Sequence, residues 1–382
     1  MTLHIFNPEH DLALASNLRN FTSPHAGRQL RHDLSWLPAL WASEGDKVLV
    51  DDCESAMNGY RILLREVNRL NAKSVLTKHS ERSYQMLIAN DSTFVAKPYD
   101  FKDTTSISPW GWNQALRFQL KNAGARLSVL PTEEAIDIIR NLSHRRSSSI
   151  LLNSIHESIK DKSIIGKSTE CYSIDEITSL LKEHKSIVIK APWSSSGRGV
   201  RFIDNEINAS TEGWLRNTLQ RQGSVMVEPH YSRIKDFAME FTANADKTIS
   251  YCGLSLFDTT NGAYTGNLLA TESRKEEIMS RFISPSLLAD IRNAICSKME
   301  SIIDGHYVGP FGIDMMIIGY SEADCEQNHF YVNPCIEINL RRTMGHVALA
   351  LTKAINPLND NDFTRIMRIT FEDNQYKLKI QR

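Results

Sequence analysis

The sequence has no apolar run near the roughly 18 residues that a membrane-crossing helix needs, so no transmembrane span is expected. It has almost no net charge. Its 44 basic and 45 acidic residues leave −1, too little for a broad field that would draw in nucleic acid or an anionic membrane. Its six cysteines, at 53, 171, 252, 296, 325 and 335, form no Cys-x-x-Cys pair and no zinc spacing. They are expected as reduced thiols, and nothing marks one as a nucleophile. Internal repeats and low-complexity tracts are absent. The first residues, Met1-Thr2-Leu3-His4-Ile5-Phe6, lack a basic segment followed by an apolar one, so a secretory signal is not expected and the location is expected to be cytoplasmic. What remains is an ordinary globular composition, 41% hydrophobic and 23% charged, on 382 residues, a length that suits two or three domains.

The most informative stretch begins at Ile187-Val188-Ile189-Lys190, a short β-branched run ending in a lysine. It breaks into Ala191-Pro192-Trp193-Ser194-Ser195-Ser196-Gly197-Arg198-Gly199 and resumes at Val200. This suits a strand that delivers one cation to a nucleotide's phosphates, followed by a lid that folds over them. Gly197 and Gly199 allow close backbone approach, and Ser194, Ser195 and Ser196 offer hydroxyl donors. A P-loop would place its lysine after the glycines and open a helix. A plain strand–turn–strand is the alternative.

Further on, Val308-Gly309-Pro310-Phe311-Gly312-Ile313-Asp314-Met315-Met316 sets an aspartate inside an apolar strand, where a buried carboxylate needs a cation or a donor. In Cys335-Ile336-Glu337-Ile338-Asn339-Leu340-Arg341, period-two alternation projects Glu337, Asn339 and Arg341 from one face. A carboxylate, an amide oxygen and a guanidinium in a row suit Mg²⁺ shared between protein and phosphate, with the arginine facing a transferring phosphoryl group or a carboxylate. The alternatives are a satisfied core aspartate and a solvent-facing strand edge. Between these motifs, Val225-Met226-Val227-Glu228-Pro229-His230 runs a strand into a hinge, with Asp236 and Glu240 beyond it.

Residues 3–6, 47–50, 75–76 and 94–95 suit strands, and 28–42 (bent at Pro38), 60–70 and 112–122 suit helices. This alternation predicts a small parallel α/β domain. Thr132 is expected to cap a helix, Ser173 and Glu176 to form a capping box, and Ser284-Pro285 to open another helix. The polar run 145–149 is expected to break the pattern at a domain boundary. Residues 321–326 suggest a surface turn, and the C-terminal segments 368–371 and 376–380 a hairpin. After the first strand, Asn7, Glu9, His10 and Asp11 crowd where open α/β sheets present ligands; helix capping is the alternative. Trp110 and Trp112 suit core packing or a pocket wall.

The order strand-Lys-glycine loop, strand-Glu hinge, strand-Asp, strand-Glu-x-Asn-x-Arg resembles the ATP-grasp superfamily over residues 141–350. The resemblance implies an α/β (α+β) chain: an N-terminal α/β domain over residues 1–140, a subdomain with the glycine-rich lid over 141–227, and a subdomain with the metal site over 228–382. It implies ATP and Mg²⁺ as cofactors. Lys190 would contact the α and β phosphates, with Ser194, Ser195, Ser196, Gly197, Arg198 and Gly199 as lid. Glu228 and the backbone of Pro229 and His230 would line the adenine pocket, and Asp236 would hold the ribose. Asp314, Glu337 and Asn339 would take the metal, and Arg341 would sit beside the γ-phosphate. The implied reaction is ligation of a small-molecule or peptide carboxylate to an amine or thiol through an acyl phosphate. A kinase that stops at phosphoryl transfer and a non-catalytic nucleotide binder stay open. Two positions depart from the family pattern. Gly312 stands where many members carry arginine, and the usual upstream lysine is missing from Leu142-Ser143-His144-Arg145-Arg146, with Arg146 as its substitute.

Overall fold

The computed structural model describes residues 1–75, 89–90, 92–194, 199–260, 263–319, 330–355 and 363–382. The N-terminal layer is a parallel sheet of β1 (Thr2–Ile5), β2 (Lys47–Leu49), β3 (Phe94–Val95) and β4 (Ser106–Pro109), in the order β3-β2-β1-β4. Its connections carry α1 (His10–Ser16), α2 (His25–Leu34) and α3 (Cys53–Val75). The α2 helix starts earlier than expected and stops at Leu34. Pro38 does not bend it but sits in a separate 3₁₀ turn, Leu37–Leu40, because proline fits only the first turn of a helix. Val75 ends α3 rather than forming a strand; Leu76 lies outside the described residues.

Next come α4 (Gln114–Asn122), capped by Asn113; α5 (Glu133–Leu142), capped by Thr132; and α6 (Arg146–Ser158). The run 145–149 is thus no irregular break. It opens α6, because Leu151, Leu152 and Ile155 repeat at helical spacing and are buried.

The second sheet is antiparallel. It comprises β5 (Thr169–Cys171), β6 (Ser186–Lys190), β7 (Val200–Asp204) and β8 (Val225–Pro229), in the order β5-β8-β6-β7. Helices α7 (Ile174–His184) and α8 (Ala209–Gln222) cover one face, where Ile187, Ile189, Val225 and Val227 meet Ile177, Leu181 and Leu215 in one core. In α7, Ser173 caps the Glu176 amide at 3.2 Å while Glu176 reaches back to the Tyr172 amide at 2.7 Å. The other face, which α7 and α8 leave free, carries Val188, Lys190, Met226 and Glu228, all buried within the rest of the chain.

The third sheet holds β9 (Arg233–Ala243), β10 (Ile249–Thr260), β11 (Ala263–Leu269), β12 (Gly309–Ile318), β13 (Tyr331–Asn339), β14 (Arg365–Glu372) and β15 (Gln375–Gln381), ordered β13-β12-β9-β10-β11-β14-β15. Its apolar face, with Phe237, Met239, Phe241, Ile313, Met315 and Ile338, packs on α10 (Pro285–Ile303), following α9 (Glu272–Met279), and on α6. Its other face is polar. The expected C-terminal hairpin is present as β14–β15, turning through Asp373 and Asn374, both with positive φ. It does not form a unit apart. Met367 and Leu378, with Val347 and Leu351 of α11 (Met344–Ile355), share one core with Phe6, Leu34 and Tyr60 of the N-terminal layer. No helix among the described residues is long and apolar enough to cross a membrane.

Candidate active site

The polar face of the third sheet and the Lys190 face of the second define the site. On β12 and β13, Asp314 and Glu337 are direct cross-strand partners, and Gly312 faces Asn339. Opposed residues in an antiparallel ladder share a face, so Asp314, Glu337 and Asn339 project together. On the second sheet, Lys190 Nζ donates to Glu228 at 2.7 Å, both side chains being buried.

Arg145, which the sequence reading passed over, joins the two walls. It precedes α6, which packs on β13, yet its side chain does not cap that helix. Nη2 donates to Glu337 Oε1 at 2.7 Å, while Nη1 donates to the Ala191 carbonyl at 2.5 Å and to Ser194 Oγ at 2.9 Å. One buried guanidinium therefore holds the Glu-x-Asn-x-Arg strand and the base of the lysine loop. Arg146, the residue expected to replace the missing lysine, is half-exposed and donates to Glu170 at 2.7 Å on β5. Glu170 and Lys190 both pair with Met226, so Arg146 reaches the sheet face that carries Lys190. Its position in sequence gave no means of separating these two neighbouring arginines.

The loop after Lys190 is anchored at both ends. Trp193 donates to the Arg140 carbonyl at 2.9 Å and lies under the Arg140 guanidinium. The Ala191 amide donates to the Gly199 carbonyl at 2.8 Å, and a Cβ at Gly199 would meet Ser194 Oγ at 2.4 Å, so glycine is required where the loop closes. Ser195, Ser196, Gly197 and Arg198 lie outside the described residues.

At the hinge, Pro229 pairs with Ile187, and the His230 amide donates to the Ser186 carbonyl at 3.0 Å. The His230 ring meets Phe202, an exposed phenylalanine on the same sheet face as Val188, in a tilted contact with centroids 5.3 Å apart. Asp236 shares the polar face of the third sheet, further along β9, and accepts from Arg233 at 2.8 Å and Thr259 at 2.9 Å.

The electrostatics of the β12–β13 pair favour a cation. Burial, then the nearby charges of Glu337 and Glu240, push the Asp314 carboxyl up to about 7. Asn339 Nδ2 donates to Asp314 Oδ2 at 3.1 Å, and Asn339 Oδ1 accepts from Arg341 at 2.9 Å. Two facing carboxylates and an amide are the hard oxygen set Mg²⁺ uses, once the amide turns its oxygen inward. Among the described residues no group of three or more His, Cys, Asp or Glu is arranged to hold a metal, so any metal here relies on the amide.

Gly312 has a structural explanation. Its opposite neighbour on β9 is Glu240, fully buried, and a Cβ at Gly312 would stand 2.6 Å from Glu240 Oε2. Glu240 Oε2 lies 3.0 Å from His346 Nδ1. Burial pulls the His346 imidazole down, but Glu240 and Cys252 together pull it further up, so its pKa is raised.

The loop 7–11 divides. Asp11 reaches the site and pairs with Arg341. His10 is buried, its Nδ1 3.3 Å from Asn113 Nδ2, and Asn7 donates to the Gly111 carbonyl at 2.9 Å, pinning the tryptophan pair's turn. Glu9 turns away from the cleft to Arg31, 2.9 Å distant.

No family model and no curated protein matches the chain. Among solved structures it is similar to N5-carboxyaminoimidazole synthetase from Staphylococcus aureus complexed with ADP, at 14% identity and TM-score 0.48, over 98% of this chain and 83% of that one. It is also similar to the biotin carboxylase–beta-gamma-ATP complex from Campylobacter jejuni, at 14% identity and TM-score 0.44, over 71% of this chain and 60% of that one. A third likeness, at 11% identity and TM-score 0.43, is to N5-carboxyaminoimidazole ribonucleotide synthetase from Thermus thermophilus, over 71% of this chain and 68% of that one. With identities this low and TM-scores under 0.5, the functional reading stands on the geometry of the site.

Proposed function

We propose that the chain is an ATP-dependent ligase that joins a small-molecule carboxylate to an amine. The observation that carries this reading is the Arg145 bridge, which brings the buried Lys190–Glu228 pair and the Asp314–Glu337–Asn339 face to one cleft. A cation on one wall and paired carboxylates on the other are what a nucleotide triphosphate and its metal require. Mg²⁺, held by Asp314, Glu337 and Asn339, would supply neutralisation of phosphate charge.

The chain's own residues would bind and align. Lys190 would meet phosphate oxygens, with Glu228 holding its ammonium in place. Ser194 and the loop through Gly199 would cover the phosphates, Phe202 and His230 would line one side of the base, and Asp236 would face the ribose. In the reaction a substrate carboxylate oxygen attacks the γ-phosphorus and ADP leaves. The amine then attacks the acyl carbon, loses a proton, and inorganic phosphate leaves. No protein nucleophile is needed, so the catalysis asked of the site is alignment and charge stabilisation.

The test is ADP release over a panel of carboxylates with and without amines, with product mass measured. ADP release that needs both substrates, with a condensed product, supports ligation. A phosphorylated product formed without an amine makes the enzyme a kinase. Absence of ATP binding by calorimetry overturns the reading altogether.

A further inference from the structure

A second space lies across the wall formed by loop 7–11. The carboxyl edge of the N-terminal parallel sheet opens into a cavity of about 210 Å³. Asn7 follows β1, Asp51 follows β2 and Lys97 follows β3 onto its rim, and α2 supplies Arg28 and Arg31. This edge is where open α/β sheets hold ligands. Phe6, Leu49 and Leu116 give it an apolar side. Asn113 lines it and contacts His10, which lines the nucleotide cleft on the other side, so the two spaces are neighbours but separate.

The cavity's charges are mixed and incompletely satisfied. The Glu9 side chain is only 10% exposed; Oε1 accepts from Arg31, but Oε2 is buried without a hydrogen bond. Arg31 Nε is also buried without one, because Asp51 Oδ2 stands 3.7 Å away, beyond hydrogen-bond reach. Leaving a buried acceptor and a buried donor unpaired is destabilising, and more so where the group is charged. A ligand that offers one donor and one acceptor, and turns these two side chains toward the cavity they line, removes both costs. A simple anion would meet Glu9 and Asp51, and a simple cation would meet Arg28, Arg31 and Lys97. Only a molecule with both charges suits the set, and the volume is below the roughly 300 Å³ at which drug-sized pockets begin.

We propose that this cavity binds a free α-amino acid. Glu9 and Asp51 hold its ammonium, Arg28, Arg31 and Lys97 its carboxylate, and its apolar side chain lies along Phe6, Leu49 and Leu116. Binding here does not involve the nucleotide cleft. It can be measured without ATP, and it succeeds or fails independently of ligation.

The probes are L-leucine and L-phenylalanine, with 4-methylpentanoate and 3-methylbutylamine as leucine analogues lacking one charge, followed by ligand-observed NMR and calorimetry on the full chain. At least one amino acid should bind, and each one-charge analogue should bind roughly ten-fold more weakly or worse, the loss expected for about 1.4 kcal/mol. Glu9→Gln should weaken binding by a similar factor. Lys97 is exposed, so Lys97→Met decides the matter if Glu9→Gln does not fold. No binding of either amino acid at about 10 mM, where even a Kd of about 1 mM gives near saturation, would leave a water-filled cavity and overturn the proposal. So would equal binding by the one-charge analogues, or unchanged affinity in the folded variant.

Discussion

Asp11 grips Arg341 with both carboxylate oxygens, at 2.7 Å from Nε and 2.8 Å from Nη2, across 330 residues of sequence. With Nη2 also on Asn339 Oδ1 and Nη1 on the Arg342 carbonyl, each guanidinium nitrogen is engaged. The first β–α loop of the N-terminal layer thereby sets the orientation of the last residue of the Glu-x-Asn-x-Arg motif. Asp11→Asn should lower ADP release while leaving ATP affinity nearly unchanged, because Lys190 lies on the other wall. Breaking a partly exposed pair of this kind should cost about 1–3 kcal/mol, less than a fully buried one. Urea unfolding and single-turnover ADP release check the two effects. Full ADP release from the folded variant would remove Asp11 from the site.

Lys190 and Glu228 form a buried pair, so deleting the lysine alone leaves an uncompensated carboxylate. Lys190→Met should therefore lose both stability, by about 3 kcal/mol, and nucleotide affinity. Adding Glu228→Gln should return much of the stability and none of the affinity. Calorimetric ATP titration of the double variant separates the effects, and wild-type affinity there would exclude Lys190 as a phosphate ligand.

The sequence made the strands and their chemistry legible because period-two alternation is local. Glu337 and Asn339 could be assigned to one face from spacing alone, and the ladder between β12 and β13 puts Asp314 beside them. Capping was legible for the same reason: Thr132, Ser173 and Ser284 each accept from an amide three residues on. What could not be read was pairing over distance. Nothing local distinguishes Arg145 from Arg146; their roles are set by where α6 meets β13. Glu9 and Asp11 looked like one acidic loop, but a turn of helix sends one to Arg31 and the other to Arg341. Gly312 looked like a missing arginine until Glu240 was found filling the space beside it.

That space yields a graded prediction. A Cβ at Gly312 would meet Glu240 Oε2 at 2.6 Å, and one at Gly345 would meet Glu240 Oε1 at 1.9 Å and Ser255 Oγ at 2.6 Å. Glu240 is fully buried beside His346 and has little room to yield. Gly312→Ala should cost about 1–3 kcal/mol as an overpacked site, and Gly345→Ala more. Thermal and urea midpoints check the order. A Gly345→Ala protein as stable as the wild type would show that Glu240 can move.

His10 and His144 link stability to pH. Burial, ahead of the opposing pull of Asp11, holds His10 down to about 4, and burial with the nearby Arg146 charge does the same for His144. The hydrogen bonds agree. Asn113 Oδ1 accepts from the Leu116 amide, so its Nδ2 must donate to His10 Nδ1, while His144 Nδ1 accepts from the Arg146 amide; both rings are neutral acceptors. In the unfolded chain each titrates near 6.5. Between about 6.5 and 4 the unfolded state therefore binds more protons than the folded one, and stability falls as pH falls through that window. Above about pH 7 neither histidine contributes a penalty. Each accounts for at most roughly 3 kcal/mol of loss by about pH 4. Carboxylates titrate over part of the same range, so the wild-type curve alone does not isolate the histidines. The difference between wild type and His10→Gln does. The variant should lose less stability than the wild type between about pH 7 and 5, by an amount approaching one proton's worth of slope, whatever its stability at the upper end. Urea midpoints at half-unit pH steps measure it, and parallel curves for the two proteins would mean that His10 takes up its proton in the folded state as readily as in the unfolded chain.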